Sequence, residues 1–223
     1  MEKREFSREL QLTADGSHTL FVPAMDEHYH SVNGAVQESQ HVFIEAGLKQ
    51  LDRKPIRIFE VGFGTGLNAF LTLLETGHTA VEYFSIEQYP LEEKLIHALN
   101  YGELVLSGKK DLFLSLHQAA WNISVPITDS FTLHKMYGDS NTASLPGQID
   151  LVYFDAFAPD KQPDMWNQEI FNKLYKQMTS GGILTTYCAK GVVRRMLQVS
   201  GFSVERIPGP PGKREMLRAT KIS

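Results

Sequence analysis

Apolar residues in this chain gather in short dense runs separated by stretches with a helical period. Residues 56–61 (IRIFEV) read as a buried strand, and 149–154 (IDLVYF) form a near-continuous apolar run, the pattern of a strand covered on both faces of a parallel sheet. Residues 81–87 (VEYFSIE), 131–137 (FTLHKMY), 183–187 (ILTTY), 202–207 and 215–221 read as further strands. Helices are predicted over 67–76 (LNAFLTLLET), with Gly77 as the stop, over a stretch opened by Pro90 (PLEEKLIHALN), over 111–121, from about Trp166 to Met178, and over 189–199. No internal repeat or low-complexity linker breaks the pattern. Strands alternating with helices of these lengths predict an α/β fold, an open, doubly wound, mostly parallel seven-stranded sheet. A polar N-terminal extension precedes it. The expected division is an arm over 1–50 packed on a domain over 51–223.

Ligands of such sheets bind beyond the carboxyl ends of the strands, where the strand order reverses. The stretch FEVGFGTGLN (59–68) falls at the end of the first strand and spaces its glycines as Gly62-x-Gly64-x-Gly66. A dinucleotide fingerprint would need a glycine where Leu67 stands, and a phosphate loop would need a Gly-Lys-Ser/Thr ending, yet no lysine occurs between Lys54 and Lys94. Glu60, two residues before the first glycine, suits a ligand with positive charge, such as the sulfonium and amino groups of S-adenosylmethionine. Glu87 ends the second strand, where a carboxylate can accept both ribose hydroxyl hydrogens. Asp139 follows the third strand in YGDS, suited to an adenine amino group, and Asp155 ends the fourth in YFDAFAP. Each acid alone could be a cap or turn residue, and the glycines a bare tight turn. Acids at four successive strand ends point instead to a ligand site.

With 223 residues the chain is long enough for one large α/β domain with a real core. No run reaches the roughly 20 apolar residues of a membrane span. The N-terminus, MEKREFSREL, lacks the apolar centre of a secretory signal. The single cysteine, Cys188, excludes an internal disulfide and reads as a buried thiol. A cytoplasmic location is the expectation. The net charge of −4 does not mark a nucleic-acid binder, but its distribution is uneven. Residues 190–223 carry eight Lys/Arg against two acids, a net +6 on a body of −10. Such a basic end is either a docking surface or an ordinary solvated face.

The order E-x-G-x-G-x-G, acidic strand end, GD and DAFAP resembles the class I S-adenosylmethionine-dependent methyltransferases, which have a Rossmann-like sheet. Four longer pieces look like the methyltransferase domain of the bifunctional tRNA 5-methylaminomethyl-2-thiouridine biosynthesis proteins. They are YHSVNGAVQESQHVFIEAGL (29–48), DLVYFDAFAPDKQPDMWNQEIF (150–171), GGILTTYCAKGVVRRMLQVSGF (181–202) and GKREML (212–217). The resemblance implies S-adenosyl-L-methionine as cofactor and methylation of the aminomethyl group on a modified wobble uridine of tRNA. It implies cofactor contacts from Glu60, Gly62, Gly64, Gly66, Asn68, Glu87 and Asp139, and a place for Asp155 at the methyl-accepting centre. Tyr29 and His30 would line the cofactor or substrate pocket. Bifunctional members add an FAD-dependent oxidase domain; this sequence stops soon after KREML, so a stand-alone enzyme without FAD is expected.

Methyl transfer needs an amine with a free lone pair, so Asp155 is the expected proton acceptor, with Phe157 and Pro159 shaping a dry slot for the uridine. The tRNA is expected to dock on the basic C-terminal segment, with Lys213 and Arg214 close to the site. A metal is not expected: Glu27, His28, His30 and His41 do not have zinc-ligand spacing. Two other readings stay open, a methyltransferase of a small-molecule amine and a catalytically silent methyltransferase-like binding protein.

Overall fold

The computed structural model describes residues 7–222. Strands β1 (Glu9–Leu12), β2 (His18–Val22) and β3 (Glu27–His28) form a small antiparallel sheet. Helix α1 (Ala35–Ser39) runs on into a π-helical turn, Gln40–Glu45, and a 3-10 turn, Leu48–Gln50. The remaining elements are β4 (Ile56–Val61), α2 (Leu67–Thr76), β5 (Val81–Glu87), α3 (Glu93–Ala98), α4 (Tyr101–Leu104), α5 (Lys110–Gln118), β6 (Ser124–Pro126) and β7 (Phe131–Tyr137). They continue with β8 (Ile149–Phe154), α6 (Gln168–Gln177), β9 (Met178–Thr186), α7 (Gly191–Val199), β10 (Phe202–Pro208) and β11 (Glu215–Lys221).

The main sheet has eight strands in the order β10-β11-β9-β8-β4-β5-β7-β6. Strands β9, β8, β4, β5 and β7 pair in parallel; β11 and β6 run against them. From β4 the chain moves one way through β5 and β7, then returns to the other side of β4 with β8. The strand order therefore reverses between β4 and β8, which leaves a crevice beyond their carboxyl ends.

Side-chain parity along the strands separates two cores. Ile58, Tyr83, Leu151 and Tyr153 face α2, α5 and the N-terminal region, whereas Phe59, Val61, Val152 and Phe154 face α6 and α7. Helix α2 buries Leu67, Phe70, Leu71 and Leu73 on the first face. Helix α6 starts where the Asn167 side chain accepts the Ile170 N–H at 2.9 Å, and it buries Ile170, Phe171 and Leu174 on the second. Among the described residues no helix is long and apolar enough to cross a membrane.

The differences from the sequence reading lie where the pattern is short. An eighth strand, β6, joins the edge; three residues ending in Pro126 carry no readable alternation, and a proline is tolerated at a sheet edge. The stretch opened by Pro90 is helical only over α3, with α4 a separate short helix just after it, and β9 starts five residues earlier than expected, at Met178. The polar N-terminal extension is built of strands and helix. Its Leu20, Val42, Phe43 and Ile44 lie in the same core as α2, and Phe43 packs on Tyr153 at 5.0 Å between ring centroids.

Candidate active site

The crevice at the strand switch holds a cavity of about 560 Å³, within the usual range for small-molecule sites. One wall is the glycine loop after β4. Gly64 has φ +50, and a Cβ there would lie 3.2 Å from the Tyr29 ring; Gly66 has φ +72, and a Cβ there would lie 2.7 Å from His117 Nε2. These are conformations and clearances that glycine alone meets without strain. The N-terminal region lines it as well, through Val22, Met25, His28, Tyr29 and His30.

Three of the strand-end acids reach this cavity. Glu87, at the end of β5, accepts the Gly64 N–H at 3.0 Å with Oε2 and the Tyr89 N–H at 2.7 Å with Oε1. Asp139, just after β7, accepts the Asn141 backbone N–H at 2.9 Å and its Nδ2 at 3.1 Å. Asp155, just after β8, faces the cavity from deep in the protein and accepts Asn68 Nδ2 at 2.8 Å. Burial pushes the Asp155 carboxyl up to about 7, against the opposing pull of the Asn68 hydrogen bond. Glu38 and Lys213 also act on it through space.

Tyr29 meets Phe157 edge to face, 5.1 Å between centroids, and burial raises its hydroxyl to about 12, so it stays protonated. The His30 Nε2 lies 2.7 Å from Thr65 Oγ1. Burial pulls the imidazole down to about 4, which leaves His30 neutral near pH 7. Gly62, Gly64, Asn68, Glu87, Asp139, Asp155, Tyr29, His30 and Phe157 thus share one cavity. Arg8, which nothing in its charged sequence surroundings singles out, lines it too.

Five other expected site residues lie outside the cavity lining. Gly66 supports the loop from below, as the residue preceding α2, and Pro159 lies farther along the chain beyond Phe157. Lys213 pairs with Glu38 at 2.6 Å and sits over the Tyr187 ring at 3.9 Å. It borders a second, shallow groove together with Tyr187, Cys188, Ala189, Lys190 and Arg214. Glu60 is fully buried. Two residues before the first glycine is still inside the paired part of β4, and strand parity turns the side chain under α2, beside Ser85 and Tyr153. Its Oε2 accepts the Ser85 hydroxyl at 2.7 Å, its Oε1 has no hydrogen-bond partner among the described residues, and it does not line the cavity.

Burial pushes the Glu60 carboxyl up to about 8, with the nearby Asp155 charge adding to the effect. A group raised in the folded state stabilises the fold fully below its unfolded value, and that contribution is lost as pH rises towards the folded value. Glu60→Gln is therefore expected to fold and to flatten the decline of Tm between about pH 5 and 9. Thermal denaturation across that range checks this; a slope equal to the parent's would show that Glu60 does not hold a proton in the fold.

The three histidines weighed as metal ligands are separately engaged. His28 lies 3.0 Å from Gln11 Oε1, His30 bonds Thr65, and His41 lies 2.8 Å from the Pro208 carbonyl oxygen. Among the described residues no group of three or more His, Cys, Asp or Glu is placed to hold a metal ion.

Residues 111–222 match the family of S-adenosyl-L-methionine-dependent methyltransferases. The chain belongs to that family. This methyltransferase is 32% identical over 208 residues to the tRNA 5-methylaminomethyl-2-thiouridine biosynthesis bifunctional protein MnmC of Leptospira borgpetersenii, covering 86% of this chain and 32% of the relative. It is 32% identical over 223 residues to the protein of the same name from Ralstonia nicotianae, covering 92% of this chain and 33% of the relative. The chain thus spans about a third of the length of these curated relatives. Among solved structures it resembles MNMC2 from Aquifex aeolicus, with a TM-score of 0.79 and 26% identity, covering 99% of this chain and 72% of that one. Spermidine synthase from Thermotoga maritima, at 9% identity and a TM-score of 0.59, shares the fold.

The cavity of this methyltransferase suits the family's cofactor. Each oxygen of Glu87 takes one N–H, so a second lone pair on each is left for a vicinal diol. The buried Oδ1 of Asn68 has no hydrogen-bond partner among the described residues. An orphaned acceptor beside Asp155 suits an ammonium group, and a buried acceptor without a partner is costly.

Proposed function

We propose that this methyltransferase N-methylates the aminomethyl group of a modified wobble uridine in tRNA, giving 5-methylaminomethyl-uridine or its 2-thio form. The observation that carries this reading is Asp155, a cavity-facing carboxyl raised to about 7 beside the glycine loop. The cofactor supplies an electrophilic methyl group on a sulfonium. Gly62, Gly64, Tyr29, Glu87 and Asp139 would hold its nucleoside end, and Asn68 its reactive end. An aminomethyl group arrives largely as an ammonium and must lose a proton before nitrogen can attack. Asp155 takes that proton at its carboxylate, and a base near 7 is well matched to operation at neutral pH. Phe157, anchored by Trp166 Nε1 donating to its carbonyl at 2.7 Å, walls the acceptor side with neutral His30 and excludes water. Once both partners are aligned, positioning supplies much of the rate. A cytoplasmic place of action fits this substrate.

We place the tRNA backbone along the shallow groove beside Arg214, and this revises the expected docking role of Lys213. Much of the basic tail is already committed: Lys213 pairs with Glu38, Arg206 with Glu215 and Arg218 with Glu205. Lys190 pairs with Asp160. Arg214 is exposed, and among the described residues no carboxylate pairs with it. The groove adjoins the acceptor side, because Tyr187 Oη donates to the Ala156 carbonyl at 2.8 Å.

Incubation of tRNA with the protein and labelled cofactor, followed by mass analysis of wobble nucleosides, tests the assignment. Label in free amines but not in the wobble nucleoside would refute it. In the same assay Arg214→Ala is expected to raise KM for tRNA and flatten the slope of log K against log salt by roughly 0.7–0.9. Lys213→Ala is expected to lower Tm by unpairing buried Glu38. An unchanged slope in Arg214→Ala would remove that residue from the docking surface.

A further inference from the structure

Arg8 stands just before β1, and its guanidinium bridges the N-terminal sheet and the tip of β5. Its Nε donates to Tyr29 Oη at 3.0 Å, and its Nη2 donates to the Tyr89 carbonyl at 2.8 Å. Both acceptors are tied to the glycine loop. The Tyr29 ring lies against Gly64, and the Tyr89 N–H donates to Glu87, the carboxylate that also takes the Gly64 N–H. Contacts therefore run in a closed circuit from Arg8 through Tyr29, Gly64, Glu87 and Tyr89 back to Arg8. Arg8, Tyr29, Glu87 and Tyr89 all line the cavity. The cavity's other long cation, Lys161, pairs instead with Asp26 at 3.4 Å. A planar guanidinium can hold two separated acceptors at once, which an ammonium on a flexible stem does poorly.

We propose that Arg8 is a positioning residue of this methyltransferase: it clasps the N-terminal strand across the nucleoside end of the cofactor cavity, holds Tyr29 on the glycine loop and slows release of the bound nucleoside. The inference rests on the family's cofactor and is independent of tRNA as acceptor. It predicts a defect in ligand residence, with ligand-free stability preserved because Arg8 is only partly buried at the edge of the molecule.

The test uses the full chain with S-adenosylhomocysteine and with methylthioadenosine, which lacks the amino-acid portion. Calorimetry and stopped-flow dissociation are compared for the parent, Arg8→Gln and Arg8→Lys, together with ligand-free Tm. Arg8→Gln is expected to bind both ligands about tenfold more weakly, the scale of one lost charge-assisted hydrogen bond, mainly through faster dissociation. Arg8→Lys should recover part of the loss, and ligand-free Tm should stay at the parent's value. Unchanged affinity in Arg8→Gln overturns the clasp, as does a fall in ligand-free Tm with affinity unchanged. A loss confined to S-adenosylhomocysteine overturns it too, by assigning Arg8 to the amino-acid end. A parent protein that binds neither ligand would overturn the cofactor site itself, and the clasp with it.

Discussion

Asp155→Asn is expected to bind S-adenosylhomocysteine as the parent does and to lose turnover by roughly 10²–10⁴-fold, the usual contribution of a general base. Asparagine keeps the shape of the side chain and can still meet Asn68 across the 2.8 Å contact once one amide flips. It cannot take a proton. The pH profile separates this loss from a packing defect. In the parent the carboxyl is protonated below about 7 and ionised above it, so kcat/KM should rise through that pH as Asp155 becomes a base. The limb near 7 should vanish in Asp155→Asn, leaving only the ionisation of the amine substrate, and higher pH should partly restore the rate. A variant that turns over like the parent, or that keeps the limb, would remove Asp155 from the chemistry.

The second large effect is expected on cofactor binding. Glu87→Ala should weaken S-adenosylmethionine roughly ten- to a hundredfold, since a hydrogen bond to a charged group contributes about 1.5–3 kcal/mol. Two losses combine at this one carboxylate. The acceptors for a ribose diol disappear, and the N–H groups of Gly64 and Tyr89 lose the partner that fixes the loop. Calorimetry on the ligand-bound and ligand-free protein checks this, with Glu87→Gln as an intermediate that restores one acceptor. Equal affinity in the alanine variant would place the nucleoside elsewhere.

The parallel core was legible because strands buried on both faces need dense apolar runs, as in IDLVYF, and their carboxyl ends mark where a ligand sits. That logic led to Glu87, Asp139 and Asp155, which follow or end their strands and face the cavity. It misplaced Glu60, because a residue still paired on both sides within β4 obeys strand parity and not its nearness to the glycines. The N-terminal sheet escaped for a different reason: β1 is four residues long and mostly exposed, and β3 has only two. Arg8 and the pairing of Lys213 with Glu38 could not be read locally at all. Arg8 reaches Tyr89 across 81 positions of sequence, and Lys213 reaches Glu38 across 175.

That last separation bears on how the protein is made. Synthesis proceeds at about 5–20 residues per second, so Glu38 leaves the ribosome many seconds before Lys213 exists. His41 waits in the same way for the carbonyl of Pro208. The glycine loop, β5 and β7 can come together while the chain is still growing. The Glu38–Lys213 pair cannot, because its cation belongs to the segment just before the last strand. The N-terminal region and the C-terminal strands it meets are therefore joined only near the end of synthesis, after the parallel strands beside the glycine loop exist.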